Sequence, residues 1–202
     1  MSSNQEQIEY WNERAGETWA ELQDRLDALL APLSAAGLAA ANVRPSERVL
    51  DVGCGCGDTS IALSAMGANV LGVDVSGPML ARARSRDASI EYQQADAATT
   101  DFAHAFDLVF SRFGVMFFDD PTAAFKNLYN ALKPGGRLLF VCWQPPAVNP
   151  WMATAGRAIA PYLPPSDEAP NPRAPGPFAF ADARYVEQIL QDAGFSEIQI
   201  NA

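Results

Sequence analysis

Apolar residues at Ile8, Trp11, Ala15, Trp19, Leu22, Leu26, Leu29 and Leu33 recur every three or four positions, with acids at Glu6, Glu9, Glu13, Glu17, Glu21 and Asp24 between them. That spacing predicts an amphipathic helix or helix pair with a solvated acidic face. From Ser46 onward the pattern changes to short apolar runs separated by helical stretches, which reads as stacked βαβ units and hence a parallel sheet. Punctuation supports this register: Ser76 caps a helix beginning near Pro78, Asp120 precedes Pro121 at a first helical position, and Asp182 opens a helix that Gly194 ends. Asp58 or Thr59 is placed to cap the helix after the first strand. The prediction is a single α/β domain with a doubly wound, mainly parallel sheet, in which right-handed crossovers put every carboxyl strand end on one edge, where such sheets bind ligands.

Residues 144–177 break the rhythm, with ten of the fifteen prolines between Gln144 and Pro177. Asn149-Pro150 starts a short helix through Ile159, after which Pro161, Pro164, Pro165, Pro170, Pro172, Pro175 and Pro177 prevent regular structure. The expected organisation is an N-terminal helical segment (1–45), a cofactor-binding core (46–143), a proline-rich segment (144–181) that is either a substrate lid over the ligand edge or an ordinary surface excursion, and a last helix and strand (182–202).

The chemistry concentrates in Val49-Leu50-Asp51-Val52-Gly53-Cys54-Gly55-Cys56-Gly57-Asp58-Thr59, a strand running into a glycine loop and then a helix. Glycines at 53, 55 and 57 let the backbone turn and approach a ligand with no Cβ in the way. A dinucleotide fingerprint would want its third glycine where Asp58 stands, and a P-loop would end in Lys then Ser or Thr. No basic residue lies between Arg48 and Arg82, and Asp51 at the strand end would repel a pyrophosphate but suit an ammonium. A second apolar run, Val70 to Val73, ends in Asp74, at roughly the twenty-residue distance of a carboxylate that accepts ribose hydroxyls.

The D-x-G-x-G-x-G loop and this acid together resemble the first two motifs of the class I S-adenosylmethionine-dependent methyltransferases. The likeness continues through Gln94-Ala95-Asp96-Ala97, Phe106-Asp107-Leu108-Val109-Phe110-Ser111-Arg112 and Leu132-Lys133-Pro134-Gly135-Gly136-Arg137-Leu138, five motifs in order over residues 47–143. Within that superfamily the chain looks most like the type 11 methyltransferases, which mostly modify small molecules. The resemblance implies a Rossmann-like fold, S-adenosylmethionine as cofactor with S-adenosylhomocysteine as product, and the following roles. Asp51 and the backbone of Gly53, Cys54 and Gly55 would face the methionine part, with the Ser111 carbonyl on its ammonium. Asp74 would take the ribose hydroxyls, Val75 and Met79 would flank the adenine, Asp96 would accept from its amine, and the Ala97 backbone would meet the ring. Tyr10, Trp11 and Trp19 would roof the site. Arg112, Phe113 and Trp151 complete the substrate-side candidates, Arg112 either orienting an acidic substrate or pairing with a neighbouring acid. No catalytic residue is singled out, because aligning a nucleophile with a methyl on a good leaving group needs no acid–base dyad.

The family sheet has seven strands, yet after Phe195-Ser196-Glu197-Ile198-Gln199-Ile200 the sequence stops at Ala202. The expected strand order is therefore 3-2-1-4-5-6 with a vacancy where a seventh strand would insert, as in a fragment of a longer protein. Self-association as a homodimer would be one way to cover that edge.

Composition changes the picture only at its margins. Fourteen basic against twenty-four acidic residues give a net charge of −10, which argues against nucleic acid or an anionic membrane as the main partner. No basic-then-apolar leader and no apolar run of about 18 residues occurs, so a cytoplasmic protein acting on a small molecule is expected. Cys54, Cys56 and Cys142 do not form a disulfide framework, and with His104 at the far sheet edge they do not suit tetrahedral zinc. Two alternatives stay open: a protein that holds the cofactor without transferring methyl, and a nicotinamide-dependent oxidoreductase.

Overall fold

Alternation within each strand decides which helices it carries. In a computed structural model describing residues 4–159, 162 and 171–202, β1 (Arg48–Val52), β2 (Asn69–Asp74), β3 (Glu91–Gln94), β4 (Phe106–Arg112) and β5 (Leu132–Val141) form one parallel sheet in the order β3-β2-β1-β4-β5. Leu50, Val52 and Val109 point to one face, against α6 (Pro121–Ala131) and α8 (Ala183–Ala193) through Phe125, Leu128, Val186 and Ile189. Val49, Leu108 and Phe110 point to the other, against Ala41 of α3 (Gln23–Ala41) and Leu63 of α4 (Asp58–Ala65). Both faces are covered, which is why these strands read as continuous apolar runs. Register sets Asp51 opposite Gly72 of β2 and Phe110 of β4, so the ends of β1, β2 and β4 share one edge.

The helix punctuation is largely as the sequence predicts. The Ser76 hydroxyl accepts from Met79 N at 3.4 Å at the start of α5 (Gly77–Arg86), Asp120 from Ala123 N at 3.0 Å, and Asp182 from Arg184 N at 3.0 Å. Gly194, at φ 105°, ends α8 in a Schellman motif: its N–H reaches Gln191 O at 3.0 Å and the Phe195 N–H reaches Leu190 O at 3.0 Å. The start of α4 differs from expectation. Gly57 occupies its cap at φ 83° with no side-chain cap, because Thr59 is spent on Asp51 and Asp58 on Arg112.

Three helices, not one or two, make the N-terminal segment: α1 (Gln5–Asn12), α2 (Arg14–Glu21) and α3, with breaks at Glu13 and Leu22. The expected sixth strand does not form among the described residues, and β5 is the sheet edge. Phe195 instead turns its ring edge-on to Tyr129 of α6 at 5.2 Å, and Glu197 takes a left-handed φ of 55° that interrupts an extended run. The short helix predicted from Pro150 is present as α7 (Pro150–Ile159). Of the prolines expected to follow it, Pro161, Pro164, Pro165 and Pro170 lie outside the described residues. No described helix is long and apolar enough to cross a membrane.

Arg137 of β5 holds the far end of α3. Its Nε and an Nη donate to Ala41 O at 3.0 and 2.9 Å, the same Nη reaches Asn42 O at 3.1 Å, and both Nη atoms meet the Glu47 carboxylate at 2.9 and 2.8 Å. That pairing holds the Glu47 carboxyl below its ordinary pKa. Arg137→Ala should cost about 2 kcal/mol in urea denaturation, the range for bonds to a charged group. Arg137→Lys should recover only part, because a point charge cannot fork between carbonyls and carboxylate.

Candidate functional site

The loop after β1 is built so that two stretches of backbone nearly touch. Gly53 sits at φ 68°, and a Cβ placed on it would lie 2.6 Å from Gly114 Cα in the turn after β4. A Cβ on Gly114 would in turn lie 2.7 Å from Val52 O. Gly53 N and Cys54 N both donate to Val73 O, at 2.8 and 3.1 Å, which locks the loop onto β2. Beside it Asp74 is held rigidly: Oδ2 accepts from Gly55 N and Oδ1 from Ser76 N, each at 2.8 Å. Burial raises its pKa, and those backbone N–H groups work against the rise. Each oxygen keeps a lone pair for a ligand.

These groups line a cavity of ≈ 360 Å³ at the carboxyl edge of the sheet. Its wall includes Gly53, Cys54, Gly55, Asp74, Val75, Met79, Asp96 and Ala97, all singled out from the sequence. Asp96 Oδ1 accepts from Ala98 N at 2.9 Å and from the Asn4 amide at 3.3 Å, while Oδ2 is buried with no partner. Aromatic residues close the remainder. Trp11 stands edge-on to Trp19 at 5.8 Å and to Phe117 at 5.3 Å, and Phe113 stacks flat on Trp143 at 4.4 Å with Trp151 edge-on to that indole at 5.6 Å.

Three sequence candidates fall outside this wall. Tyr10 is 56% exposed and only braces Trp11 edge-on at 5.2 Å. Ser111 is fully buried, donating to Val52 O at 2.7 Å and accepting from Gly114 N at 3.3 Å, so its side chain supports the contact between the two loops. Asp51 lies behind the loop with no exposure, its Oδ2 accepting from Ser60 Oγ at 2.6 Å and Thr59 Oγ1 at 2.7 Å, its Oδ1 unpartnered. Arg112 does line the cavity, and it is also the ion-paired residue of the alternative reading, with Asp58 Oδ2 at 3.0 Å.

Burial pushes the Asp51 carboxyl up to about 6, against about 4 in an unfolded chain. The folded state thus holds that proton more tightly, so the contribution of Asp51 to stability is fully present below about pH 4 and is lost as pH rises through about 6. Asp51→Asn keeps a carbonyl for the two hydroxyls without the buried charge. It should stabilise the protein at pH 7.5 by about 2 kcal/mol relative to its effect at pH 4. Urea melts at both pH values check this, and a pH-independent difference would contradict it.

Sequence reasoning missed Asn4, Gln7, Gln23 and Trp143, all in the wall, and Asn12, which pins the roof. The Asn12 amide donates to Val75 O at 2.8 Å and its oxygen accepts from Gly77 N at 3.0 Å. Gln23 carried a usable signal, standing one helical turn after Trp19 on the apolar stripe. Trp143 follows β5 on the ligand edge, where the same edge rule would have found it.

Residues 50–140 match the methyltransferase-domain family of type 11. The chain belongs to the class I S-adenosylmethionine-dependent methyltransferases. Among relatives in that superfamily, a malonyl-[acyl-carrier protein] O-methyltransferase from Enterobacter lignolyticus is 40% identical over 141 residues, 69% of this chain and 53% of the relative. A Haemonchus contortus phosphoethanolamine N-methyltransferase 2, solved with S-adenosyl-L-methionine, is 26% identical with a TM-score of 0.61, covering 83% of this chain and 37% of that one. A Methanococcus maripaludis protein described as a methyltransferase of this kind superposes over 95% of this chain and 88% of its own, with a TM-score of 0.71 at 20% identity, and shows the shared fold. The chain spans about a third to about a half of the length of the curated relatives it matches.

Proposed function

We propose that this methyltransferase domain binds S-adenosylmethionine along the carboxyl edge of the sheet and transfers methyl to a small-molecule acceptor, releasing S-adenosylhomocysteine. The observation that carries the reading is the Asp96 carboxylate, with one oxygen buried and unpartnered in a cavity wall one strand away from the preorganised Asp74. A buried acceptor left unpaired costs roughly 1–3 kcal/mol, which an exocyclic amine would recover. Charge fits the same cofactor. Arg112 is the one basic residue among the described lining residues and it shares its charge with Asp58, so the two negative charges of a pyrophosphate would not be offset there, which disfavours the nicotinamide reading.

In this reading Asp74 accepts from the ribose hydroxyls, Val75 and Met79 border the adenine, and the Gly53–Gly55 backbone runs beside the amino-acid part. When bound, the cofactor supplies a methyl group on a sulfonium, already activated for displacement. The chain then has to align the acceptor and keep water out, and alignment alone is worth roughly 7–11 kcal/mol. Trp11, Trp19, Phe113, Trp143 and Trp151 form the water-excluding side, and α7, the described helix of the expected lid, brings Trp151 there. Relatives act, by name, on phosphoethanolamine and on malonyl-[acyl-carrier protein], so methyl transfer is the step they share, and the aromatic wall of the cavity is what supports a small organic acceptor here.

The test is incubation with methyl-labelled S-adenosylmethionine and a fractionated metabolite extract, followed by chromatography with mass detection. Label should appear in a small organic product in step with S-adenosylhomocysteine. Binding of the cofactor with no labelled product across the fractions would favour the non-catalytic alternative.

A further inference from the structure

Beyond Asp96, four buried polar atoms of the described cavity wall lack partners: Asn4 Oδ1 and Gln7 Oε1 on the α1 side, where the Asn4 amide meets Asp96, and Gln23 Oε1 and Arg112 Nε, which belong to the opposite end. Gln23, 2% exposed, donates its amide to Asp27 Oδ1, which fixes Oε1 as an acceptor, and that Oε1 is unpartnered. Arg112 spends an Nη on Ser34 Oγ at 2.6 Å and Asp58 Oδ2 at 3.0 Å, while its Nε–H is buried and unpartnered. Both residues are wired to the glycine loop. Asp27 pairs with Arg86 at 2.9 Å, Arg86 donates to Cys56 O at 2.9 Å, and Asp58 follows Gly57 directly.

The strand order gives the direction. Asp96 follows β3, Asp74 ends β2, the glycine loop follows β1, and Arg112 ends β4, in the spatial order β3-β2-β1-β4. At about 4.8 Å per strand these groups mark a line of roughly 14 Å. A nucleoside at the β3–β2 end therefore places whatever hangs from its 5′ carbon between the loop and Arg112. The pair offers one donor and one acceptor, both desolvated. A phosphate or simple carboxylate would satisfy Arg112 and repel Gln23 Oε1, and a simple amine would do the reverse. An α-amino acid carries the acceptor and the donor on one carbon.

We propose that Arg112 and Gln23 hold the α-amino-acid end of the cofactor, Arg112 Nε donating to its carboxylate and Gln23 Oε1 accepting from its ammonium. This rests on the S-adenosylmethionine reading above. Arg112 is thereby a cofactor-positioning residue, not an anchor for an acidic acceptor, and Asp58 stabilises its charge while the site is empty. Each hydrogen bond to a charged group should be worth about a tenfold to hundredfold change in affinity.

Calorimetric titration with S-adenosylhomocysteine and with 5′-methylthioadenosine, which has the same adenosine and thioether but no amino acid, decides it. Gln23→Met and Arg112→Met should each weaken S-adenosylhomocysteine at least about tenfold and leave 5′-methylthioadenosine within about twofold. Retained binding of the shorter ligand shows that each variant is folded. Equal weakening of both ligands, or unchanged affinity for S-adenosylhomocysteine, in Gln23→Met would overturn the assignment even if Arg112→Met failed to fold. If the unaltered protein binds neither ligand, the cofactor reading itself fails. If it binds both and the variants do not discriminate, only the amino-acid assignment fails.

Discussion

Gly53→Val is expected to abolish cofactor binding and to destabilise the fold by about 2–5 kcal/mol. Two costs add. A non-glycine residue at φ 68° is held in the left-handed region, at roughly 1–2 kcal/mol. Its Cβ would also sit 2.6 Å from Gly114 Cα, which is backbone and cannot swing aside, and such overpacking costs about 1–3 kcal/mol. Gly135→Ala is the internal control, because Gly135 has φ 79° with nothing within 4 Å of a Cβ and pays only the strain. Gly55→Ala should fall between them, since its Cβ meets the flexible end of Met79 at 2.8 Å. Urea denaturation of the three variants ranks them, and a Gly53 variant no worse than Gly135→Ala would show that the two loops do not press together.

Asp74→Ala should lower cofactor affinity by tenfold to a hundredfold, the loss of charge-assisted bonds worth about 1.5–3 kcal/mol. Asp74→Asn should not rescue it. Both carboxylate oxygens already accept from backbone, Gly55 N and Ser76 N, and an amide can accept at only one end, so one N–H would face another donor. Calorimetry on both variants measures this. Full affinity in Asp74→Ala would remove the ribose assignment.

The sequence reading succeeded where local chemistry leaves few choices. Glycines 53, 55 and 57 all take left-handed φ, and Ser76, Asp120 and Asp182 cap the helices they precede. The continuous apolar runs Val49-Leu50 and Leu108-Val109 fit the doubly wound sheet expected from the sequence, with both faces covered. It failed where a long-range partner outbid a local one. Thr59 was free to cap α4 as far as sequence could tell, yet the buried Asp51 captured it. Asp51 itself reads as a strand-end ligand contact, and only the packed structure shows it turned behind the loop. Ile198 and Ile200 suggest a strand, but a strand needs a neighbour and a continuous extended backbone, and Glu197 interrupts it. Asn4, Gln7 and Gln23 enter the site through helix docking, a relation no window of sequence contains.

Titration of S-adenosylhomocysteine into the protein, with NADH titrated in parallel, tests the central claim most directly. The account predicts one site of micromolar affinity for S-adenosylhomocysteine, no heat from NADH, and loss of the first signal in Asp74→Ala. Binding of NADH with none of S-adenosylhomocysteine, or S-adenosylhomocysteine affinity indifferent to Asp74, would contradict it.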